Sequence, residues 1–96
     1  MKVTHQVDEH RFLIRLPDGI GELLYSIAGP ALLDLYHTEV SPRLRGRGIA
    51  GELVAAVCSY ARETGSRLIP SCSYVDAWFR RHPEQQDLLL ASQGQL

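Results

Sequence analysis

The sequence has few of the features that mark metalloproteins, disulfide-rich proteins and nucleic-acid-binding proteins. Its 96 residues include only two cysteines, which are too few for a disulfide scaffold and are not spaced as metal ligands. Four scattered histidines do not suggest a zinc site either. A formal net charge of −1 argues against a dedicated nucleic-acid binder, which is normally strongly basic. We therefore expect no bound metal and no nucleic-acid partner.

Long apolar segments are also missing. No apolar run approaches the roughly 20 residues that a membrane-spanning helix needs, and the N-terminus has no signal-peptide pattern. The hydrophobic content of 45% and the charged content of 22% are ordinary for a globular protein. We expect residues 1–96 to form one domain. We also expect a monomer in a reducing cytoplasm, without a membrane partner.

The most informative segment is residues 40–50, which reads Val-Ser-Pro-Arg-Leu-Arg-Gly-Arg-Gly-Ile-Ala. An extended apolar run ends at Pro42, a basic loop with two glycines follows, and an amphipathic helix begins near Ile49. Glycine lets the backbone approach a ligand closely, and a helix N-terminus carries about half a positive charge. This order predicts a binding site for a pyrophosphate-bearing cofactor.

Two common phosphate-binding motifs fit the segment poorly. A P-loop needs Gly-Lys-Ser/Thr, and no lysine follows these glycines. The letters G-x-G-x-x-G occur at residues 46–51, but five residues separate Val40 from the first glycine. No acidic residue lies about twenty positions downstream to bind a ribose hydroxyl. A nucleotide-binding domain stays as an alternative that predicts tight binding of NAD or ATP.

The pattern Arg45-x-x-Gly48-x-Ala50 resembles the Q/R-x-x-G-x-G/A signature with which GNAT-superfamily acetyltransferases bind coenzyme A. The likeness continues through Pro-Ser-Cys-Ser-Tyr at residues 70–74 and Arg-His-Pro at residues 81–83. In so short a chain, this combination resembles the minimal single-domain members, the small YjdJ-like N-acetyltransferases. The resemblance implies acetyl-CoA as the acyl donor and an amine, on a protein or a small molecule, as the acceptor.

Hydrophobic periodicity predicts an α+β fold. Alternating apolar residues and turn residues indicate four antiparallel strands, and the fourth is mostly apolar, as in a strand buried on both faces. A helix follows the basic loop and leads to a short fifth strand, which makes a right-handed βαβ crossover. The resemblance implies a GNAT-like mixed, mostly antiparallel sheet whose last two strands splay apart around the pantetheine arm. The predicted strands are residues 3–7, 11–16, 21–28, 31–40 and 67–70.

Two to three helices are predicted. The first runs from Ile49 to Thr64 and ends at Gly65, as a C-terminal capping glycine would direct. The pattern Ser73-x-x-Asp76 is a capping-box variant that begins a second helix with Val75, Trp78 and Phe79 on its buried face. Pro83 ends this helix. Residues 84–91 would form a last turn or two, and residues 92–96 would fray.

The resemblance implies a cofactor site built from the loop and the start of the first helix. Backbone N–H groups there would hold the pyrophosphate, while Arg43 and its neighbouring arginines supply positive charge. A basic turn that merely caps the helix is the alternative. The backbone N–H near Val40 would also polarise the thioester carbonyl. The predicted cofactor-binding residues are Val40, Arg45, Gly46, Arg47, Gly48, Ile49 and Ala50.

Three residues are candidates for catalysis. Cys72 lies just before the second helix, whose dipole favours a thiolate that accepts the acetyl group, although an inert buried thiol is the alternative. Glu39 shares a strand face with His37 and is preferred over it as the base that deprotonates the amine. Tyr74 is a candidate acid for the departing thiolate, or a partly buried aromatic at the helix start. Cys58 is interpreted as a core residue, because it lies beside the apolar stripe of the first helix, which consists of Ile49, Leu53, Val57 and Ala61.

The sequence thus predicts an acetyl-CoA-dependent N-acetyltransferase, by direct attack of the amine or through an acetylated Cys72. A non-catalytic acyl-CoA-binding or protein-interaction module with the same fold is the alternative. The short chain lacks the helical insertion of larger GNAT proteins, so the acceptor site should be open and shallow. The identity of the acceptor is not encoded in any of these motifs.

Overall fold

A computed structural model of the chain describes residues 1–90, which form one five-stranded sheet, two α-helices and three short 3₁₀ helices. The strands lie in the sheet in chain order. The strands are β1 (Thr4–Gln6), β2 (Arg11–Leu16), β3 (Gly19–Gly29), β4 (Leu32–Val40) and β5 (Arg67–Ile69). The helices are α1 (Ile49–Thr64) and α2 (Ser73–Arg80), with 3₁₀ helices at Val7–Glu9, Pro42–Leu44 and Pro83–Leu88.

The sheet is mixed, as predicted. Strands β1 to β4 pair antiparallel with their neighbours, and β5 pairs parallel with β4 after the chain has crossed over through α1. This confirms the mostly antiparallel sheet and the βαβ crossover. The last 3₁₀ helix covers most of the predicted turn at residues 84–91, and the predicted fraying of residues 92–96 lies outside the described part of the chain.

The hydrophobic core lies between one face of the sheet and the two helices. Phe12 and Ile14 of β2, Leu23 of β3, and Leu33 and Leu35 of β4 are all buried in it. The predicted stripe of α1 and the predicted face of α2 pack against them. The core residues of the helices are Ile49, Leu53, Val54, Val57, Cys58, Ala61, Val75, Trp78 and Phe79.

The expectation that β4 is buried on both faces is wrong. Leu33 and Leu35 are buried, but Tyr36, His37 and Glu39 are exposed. The apolar side chains of β4 serve a single core face, because both helices pack into the same core cluster. In the part of β4 that does not pair with β5, the face away from the core is therefore accessible to solvent.

The predicted capping box of α2 is also wrong. The helix begins at Ser73, and its N-cap is Cys72, which has an extended backbone and accepts the Asp76 N–H through its carbonyl at 2.9 Å. Ser73 therefore lies inside the first turn and is not the N-cap. The Asp76 carboxylate instead pairs with Arg80 at 2.8 Å.

Strands β4 and β5 separate halfway along β4, as the resemblance implies. β5 is registered only with Leu32, Leu33 and Asp34, and the Cys72 N–H makes one further bond to the Leu35 carbonyl at 2.9 Å. Residues 32–35, the paired half of β4, thus have a neighbour on both edges. Residues 36–40, the open half, pair with β3 alone and begin with a bulge at Tyr36.

Candidate functional site

A cleft of about 290 Å³ lies where the open half of β4, the basic loop and both helices meet. Its lining includes every residue predicted to bind the cofactor except Arg47, together with the candidate acid Tyr74. Leu44 is an additional lining residue. This loop cleft is lined by Val40, Leu44, Arg45, Gly46, Gly48, Ile49, Ala50 and Tyr74.

Two glycines in left-handed conformations shape the loop cleft. Gly46 has φ +83° and Gly48, the N-cap of α1, has φ +77°. A Cβ added at either residue would meet no atom within 4 Å, so both positions face empty space. A loop with this backbone leads directly into a helix N-terminus, which favours an anion. These residues therefore fit the pyrophosphate of coenzyme A.

The three loop arginines do not behave alike. The Arg45 side chain bends back, and its Nε donates to the Val40 carbonyl at 3.4 Å. The Arg47 guanidinium lies 3.4 Å from the Asp18 carboxylate, outside the lining of the loop cleft. Arg43 is exposed in the 3₁₀ helix before the loop. Arg45 is thus the arginine whose charge lies at the cleft.

Buried contacts below the loop hold it in place. The Leu44 side chain is fully buried in the core. Ser41 makes two bonds to the start of β3: its hydroxyl accepts the Ile20 N–H at 2.9 Å, and its own N–H donates to the Ile20 carbonyl at 2.9 Å. The pattern of polar and basic residues in the loop did not indicate these anchors.

Two glycines of β3 let the loop and α1 lie close to the sheet. A Cβ at Gly19 would lie 2.5 Å from the Ser41 side chain, and one at Gly21 would lie 2.3 Å from Cγ2 of Ile49. Glycine inside a strand often marks such a close approach. Gly19 and Gly21, two residues apart at the start of β3, were therefore a sequence signal that the N-terminus of α1 lies close to the sheet there.

Cys72 lies across the gap from the open half of β4. Its thiol is half-buried and contacts the Thr38 hydroxyl at 3.6 Å. Burial alone would raise the pKa of the thiol. Hydrogen bonds from the Val75 N–H, at the start of α2, and from Thr38 outweigh burial and lower the pKa of Cys72 below that of an ordinary cysteine. Thr38 was missed from the sequence, although its position two residues before Val40 puts both on one strand face.

Cys58 has the opposite character. It is almost completely buried in α1, and burial raises the pKa of its thiol to about 11. Such a group stays protonated at neutral pH and acts as a small apolar side chain.

The backbone of Val40 presents its N–H to the gap. The Ser41 N–H donates to the Ile20 carbonyl, and Gly21 is registered opposite Val40. Because hydrogen-bonded and non-hydrogen-bonded pairs alternate along an antiparallel ladder, the N–H and C=O of Val40 point away from β3. They point toward the edge of β4 from which β5 has separated.

Glu39 lies on the opposite face of β4 from Cys72. Its side chain lines a second cavity of about 280 Å³, the outer cavity, rather than the loop cleft. His37 lies 3.3 Å from its carboxylate, which confirms that the two share a strand face. The outer cavity is lined by Ile20, Glu22, Glu39, Ser41 and Pro42. Glu39 and the cysteine thus lie on either side of the open half of β4.

Within residues 1–90, no cluster of three or more histidine, cysteine or acidic residues is placed to hold a metal ion. No helix in the same residues has both the length and the apolar character needed to cross a membrane.

Comparisons with known proteins agree with this geometry. Residues 11–88 match the family model described as GCN5-related N-acetyl-transferase. The chain is 34% identical over 91 residues to Protein NATD1 of Bos taurus, an alignment that covers 92% of this chain and 80% of the relative. Protein NATD1 of Homo sapiens is 33% identical over 91 residues, with the same coverage of 92% and 80%.

The fold also has a solved counterpart. The NMR solution structure of a GCN5-like protein from Staphylococcus aureus superposes with a TM-score of 0.77 and 26% sequence identity, covering 98% of this chain and 92% of that chain. The family match spans both strands of the gap, the basic loop and both helices. The chain therefore belongs to the GCN5-related N-acetyltransferase family and has its small, single-domain fold.

Proposed function

We propose that this protein is an acetyl-CoA-dependent N-acetyltransferase. The observation that carries the proposal is the loop cleft, which brings the left-handed Gly46 and Gly48 together with Val40 at the end of the open half of β4. Cys72, a thiol whose pKa is lowered, contacts Thr38 of the same open half. Family membership supports the same activity.

In this proposal the chain's own groups bind the donor through its phosphates. Backbone N–H groups at the start of α1 donate to the pyrophosphate, and Arg45 adds positive charge. Coenzyme A supplies the acetyl group as a thioester, which an amine can attack. The Val40 N–H, which points into the gap, stabilises the negative charge that develops on the acetyl oxygen.

Glu39 and Tyr74 take the two proton-transfer roles. An amine attacks only when neutral, and the exposed Glu39 carboxylate can remove its proton, directly or through water. Tyr74 lines the loop cleft, and its hydroxyl protonates the departing thiolate. The two residues lie on opposite sides of β4, so the amine would approach from the outer cavity and the donor from the loop cleft.

Cys72 offers a second route. Its thiolate attacks the acetyl carbonyl, the bond from that carbonyl to the coenzyme A sulfur breaks, and the coenzyme leaves as a thiolate that takes up a proton. The acceptor amine then attacks the acetylated Cys72, gives up a proton and releases the cysteine thiolate. The lowered pKa of this thiol supports the first step, because the thiolate is the nucleophile.

The acidic lining of the outer cavity favours an acceptor amine that is protonated, and so positively charged, when it binds. Glu22 and Glu39 are registered opposite each other on β3 and β4, and both line this cavity. Arg11 lies 2.9 Å from Glu22 and neutralises part of that charge, which leaves Glu39 as the more available carboxylate. The open shape of the cavity is compatible with a lysine side chain, a protein N-terminus or a small amine.

One observation favours a non-catalytic acyl-CoA-binding module as the second candidate. Glu39 does not line the loop cleft, so within residues 1–90 the cleft itself holds no carboxylate to act as a base. In either case we infer a cytoplasmic monomer, and the free Cys58 and Cys72 suit a reducing compartment.

The two candidates differ in turnover but not in binding. Native mass spectrometry and calorimetry should detect a 1:1 complex with coenzyme A, whereas tighter binding of NAD or ATP would overturn both candidates. Release of coenzyme A from acetyl-CoA is then followed with a panel of amines. Amine-dependent release supports the enzyme, and tight binding without release supports the module.

An acetylated Cys72 is tested separately. Incubation with acetyl-CoA but no amine should add one acetyl group to the peptide that contains Cys72, and Cys72→Ala should abolish both this adduct and turnover while sparing affinity. Parent-like turnover by Cys72→Ala and by Cys72→Ser would assign the chemistry to direct attack.

A further inference from the structure

The outer cavity holds two carboxylates that repel each other. Glu22 of β3 and Glu39 of β4 are registered directly opposite each other, and both line the cavity. Like charges in opposite positions on neighbouring strands destabilise a sheet, so this pair needs a compensating charge. The proposed function uses only Glu39 as a base, and Glu22 has no part in that step.

Arg11 of β2 supplies the compensating charge. Its guanidinium lies 2.9 Å from the Glu22 carboxylate, and the two side chains are only 28% and 18% exposed. Salt screens a partly buried pair less than a fully exposed one. The Arg11 Nε also donates to the side-chain carbonyl of Gln6 on β1, so the guanidinium is held from the neighbouring strand as well. The charge of Glu22 is therefore neutralised within the fold, before any acceptor binds.

Glu39 is compensated far less. Its side chain is 67% exposed, and it contacts His37 at 3.3 Å, a residue that is charged only when protonated. Within residues 1–90, the rest of the cavity lining is uncharged and consists of Ile20, Ser41 and Pro42. The outer cavity thus offers a ligand one uncompensated negative charge beside a partly apolar wall.

We propose that Arg11 sets the acceptor specificity of the outer cavity. By neutralising Glu22 it leaves a site for an amine that carries a single positive charge on an aliphatic stem, and it disfavours polyamines, whose second ammonium group would find no free carboxylate. Arg11 acts through Glu22 and does not touch the acceptor. This inference rests on the proposed function and narrows its acceptor class.

Two amines of equal length give the sharpest test. Pentylamine and cadaverine share a five-carbon stem and differ by one terminal ammonium group. Their kcat/KM values are measured from coenzyme A release at saturating acetyl-CoA and pH 8, where histidine side chains are ordinarily neutral. We expect the parent protein to prefer pentylamine per amino group. Arg11→Gln frees the Glu22 carboxylate and should raise the cadaverine-to-pentylamine ratio roughly fivefold, whereas Arg11→Lys, which keeps the charge, should retain the parent ratio.

Two further variants separate charge from shape. Glu22→Gln removes a negative charge and should lower the ratio below that of the parent. The double variant Arg11→Gln/Glu22→Gln restores the parent's net charge and should restore its ratio. Arg80→Gln is the control for total protein charge, because Arg80 pairs with Asp76 on α2, on the core side of the sheet. Circular dichroism and urea unfolding check that each variant is folded.

The outcomes distinguish this inference from the proposed function. If the parent protein releases no coenzyme A with any amine, the proposed function is wrong and this inference falls with it. If the parent turns over both amines but the ratio is the same in all folded variants, only the role of Arg11 is wrong. A double variant that behaves like Arg11→Gln would likewise overturn it, because the effect would then follow the shape of the arginine and not the charge of the cavity.

Discussion

The two halves of β4 belong to one strand but face different surroundings. The paired half has β3 on one edge and β5 on the other, and Leu33 and Leu35 place it in the core. The open half keeps β3 alone, and its free edge faces Cys72 and the loop cleft. The fully buried side chains of β4 lie where the strand has two neighbours, and the candidate chemistry lies where it has one.

A similar contrast separates the two glycines at the ends of α1. Gly48 and Gly65 flank α1 with nearly equal backbone angles, φ +77° and +71°, and a Cβ at either would meet nothing within 4 Å. Gly65 ends a helix, a position where left-handed glycine is common. Gly48 begins one, where capping does not require a positive φ and preferred residues have extended backbone. Nearly identical local geometry thus has a capping cause at Gly65 and, under the proposed function, a ligand-binding cause at Gly48.

Replacing these two glycines by glutamate should produce the largest difference between the two ends. Gly48→Glu and Gly65→Glu carry the same backbone strain of about 1–2 kcal/mol. Only Gly48→Glu places a negative charge in the loop cleft, where it would repel the pyrophosphate and displace charge-assisted hydrogen bonds. We expect calorimetry to show coenzyme A affinity lowered roughly 100-fold or more for Gly48→Glu and unchanged for Gly65→Glu. Equal affinities in the two folded variants would remove the pyrophosphate site from the loop.

The second-largest effect is expected in the difference in thiol reactivity between Cys72 and Cys58. With a pKa of about 11, only about one Cys58 thiol in ten thousand is ionised at pH 7. The pKa of Cys72 is lowered, so its rate of alkylation by iodoacetamide should rise with pH through a midpoint below that of an ordinary thiol. Peptide mass spectrometry of the native protein should find Cys72 modified at least roughly 100-fold faster than Cys58. Comparable rates in the native state would show that the open gap does not activate the thiol.

Much of this architecture was predictable from the sequence. Sequence patterns predicted all five strands to within two residues at each end. They also predicted that α1 runs from Ile49 to Thr64, because Gly65 is a strong local stop signal. The grouping of the loop residues around a cleft followed from a motif whose backbone geometry is encoded by Gly46 and Gly48. These features depend on residues close together in the chain.

Features that depend on distant contacts were not predictable. The identity of the α2 cap depends on how the chain leaves β5, and the Cys72 N–H bond to Leu35 fixes that exit. The accessible face of β4 follows from both helices packing on one side of the sheet. The contact of Gly51 with Tyr74 and Trp78 brings together residues more than twenty positions apart in the chain.

The third effect is expected when the contact between β3 and α1 is overpacked, and it should lower the stability of the fold as well as ligand affinity. Gly21→Ala would place a Cβ 2.3 Å from Cγ2 of Ile49, so α1 must move away from the sheet. Overpacking of this kind typically costs about 1–3 kcal/mol. We expect urea unfolding to show a loss of about 2 kcal/mol together with weaker coenzyme A binding, because Ile49 also lines the loop cleft. Gly29→Ala, which creates only ordinary contacts, should leave both unchanged.

The smallest effect is expected from His5, which lies far along the sheet from the open half of β4. Its ring stacks on Phe12 with centroids 4.0 Å apart, and its Nε2 lies 2.7 Å from the Tyr25 hydroxyl. Burial lowers the pKa of His5 below its ordinary value of 6.5, so the folded state favours the neutral ring.

The sign of the pH dependence follows from that shift. As the pH falls below about 6.5, the unfolded chain takes up a proton at His5 before the folded protein does, so this residue's contribution to stability is complete above pH 6.5 and is lost as the pH falls through the folded pKa. The difference in unfolding free energy between the parent and His5→Gln, measured in urea, should therefore shrink from pH 7 to pH 5. Coenzyme A affinity at pH 7 should not change, because His5 touches neither the loop cleft nor the gap. A difference in stability that stays constant with pH would mean that the His5 ring is equally easy to protonate in both states, and that its role in this packed region is steric alone.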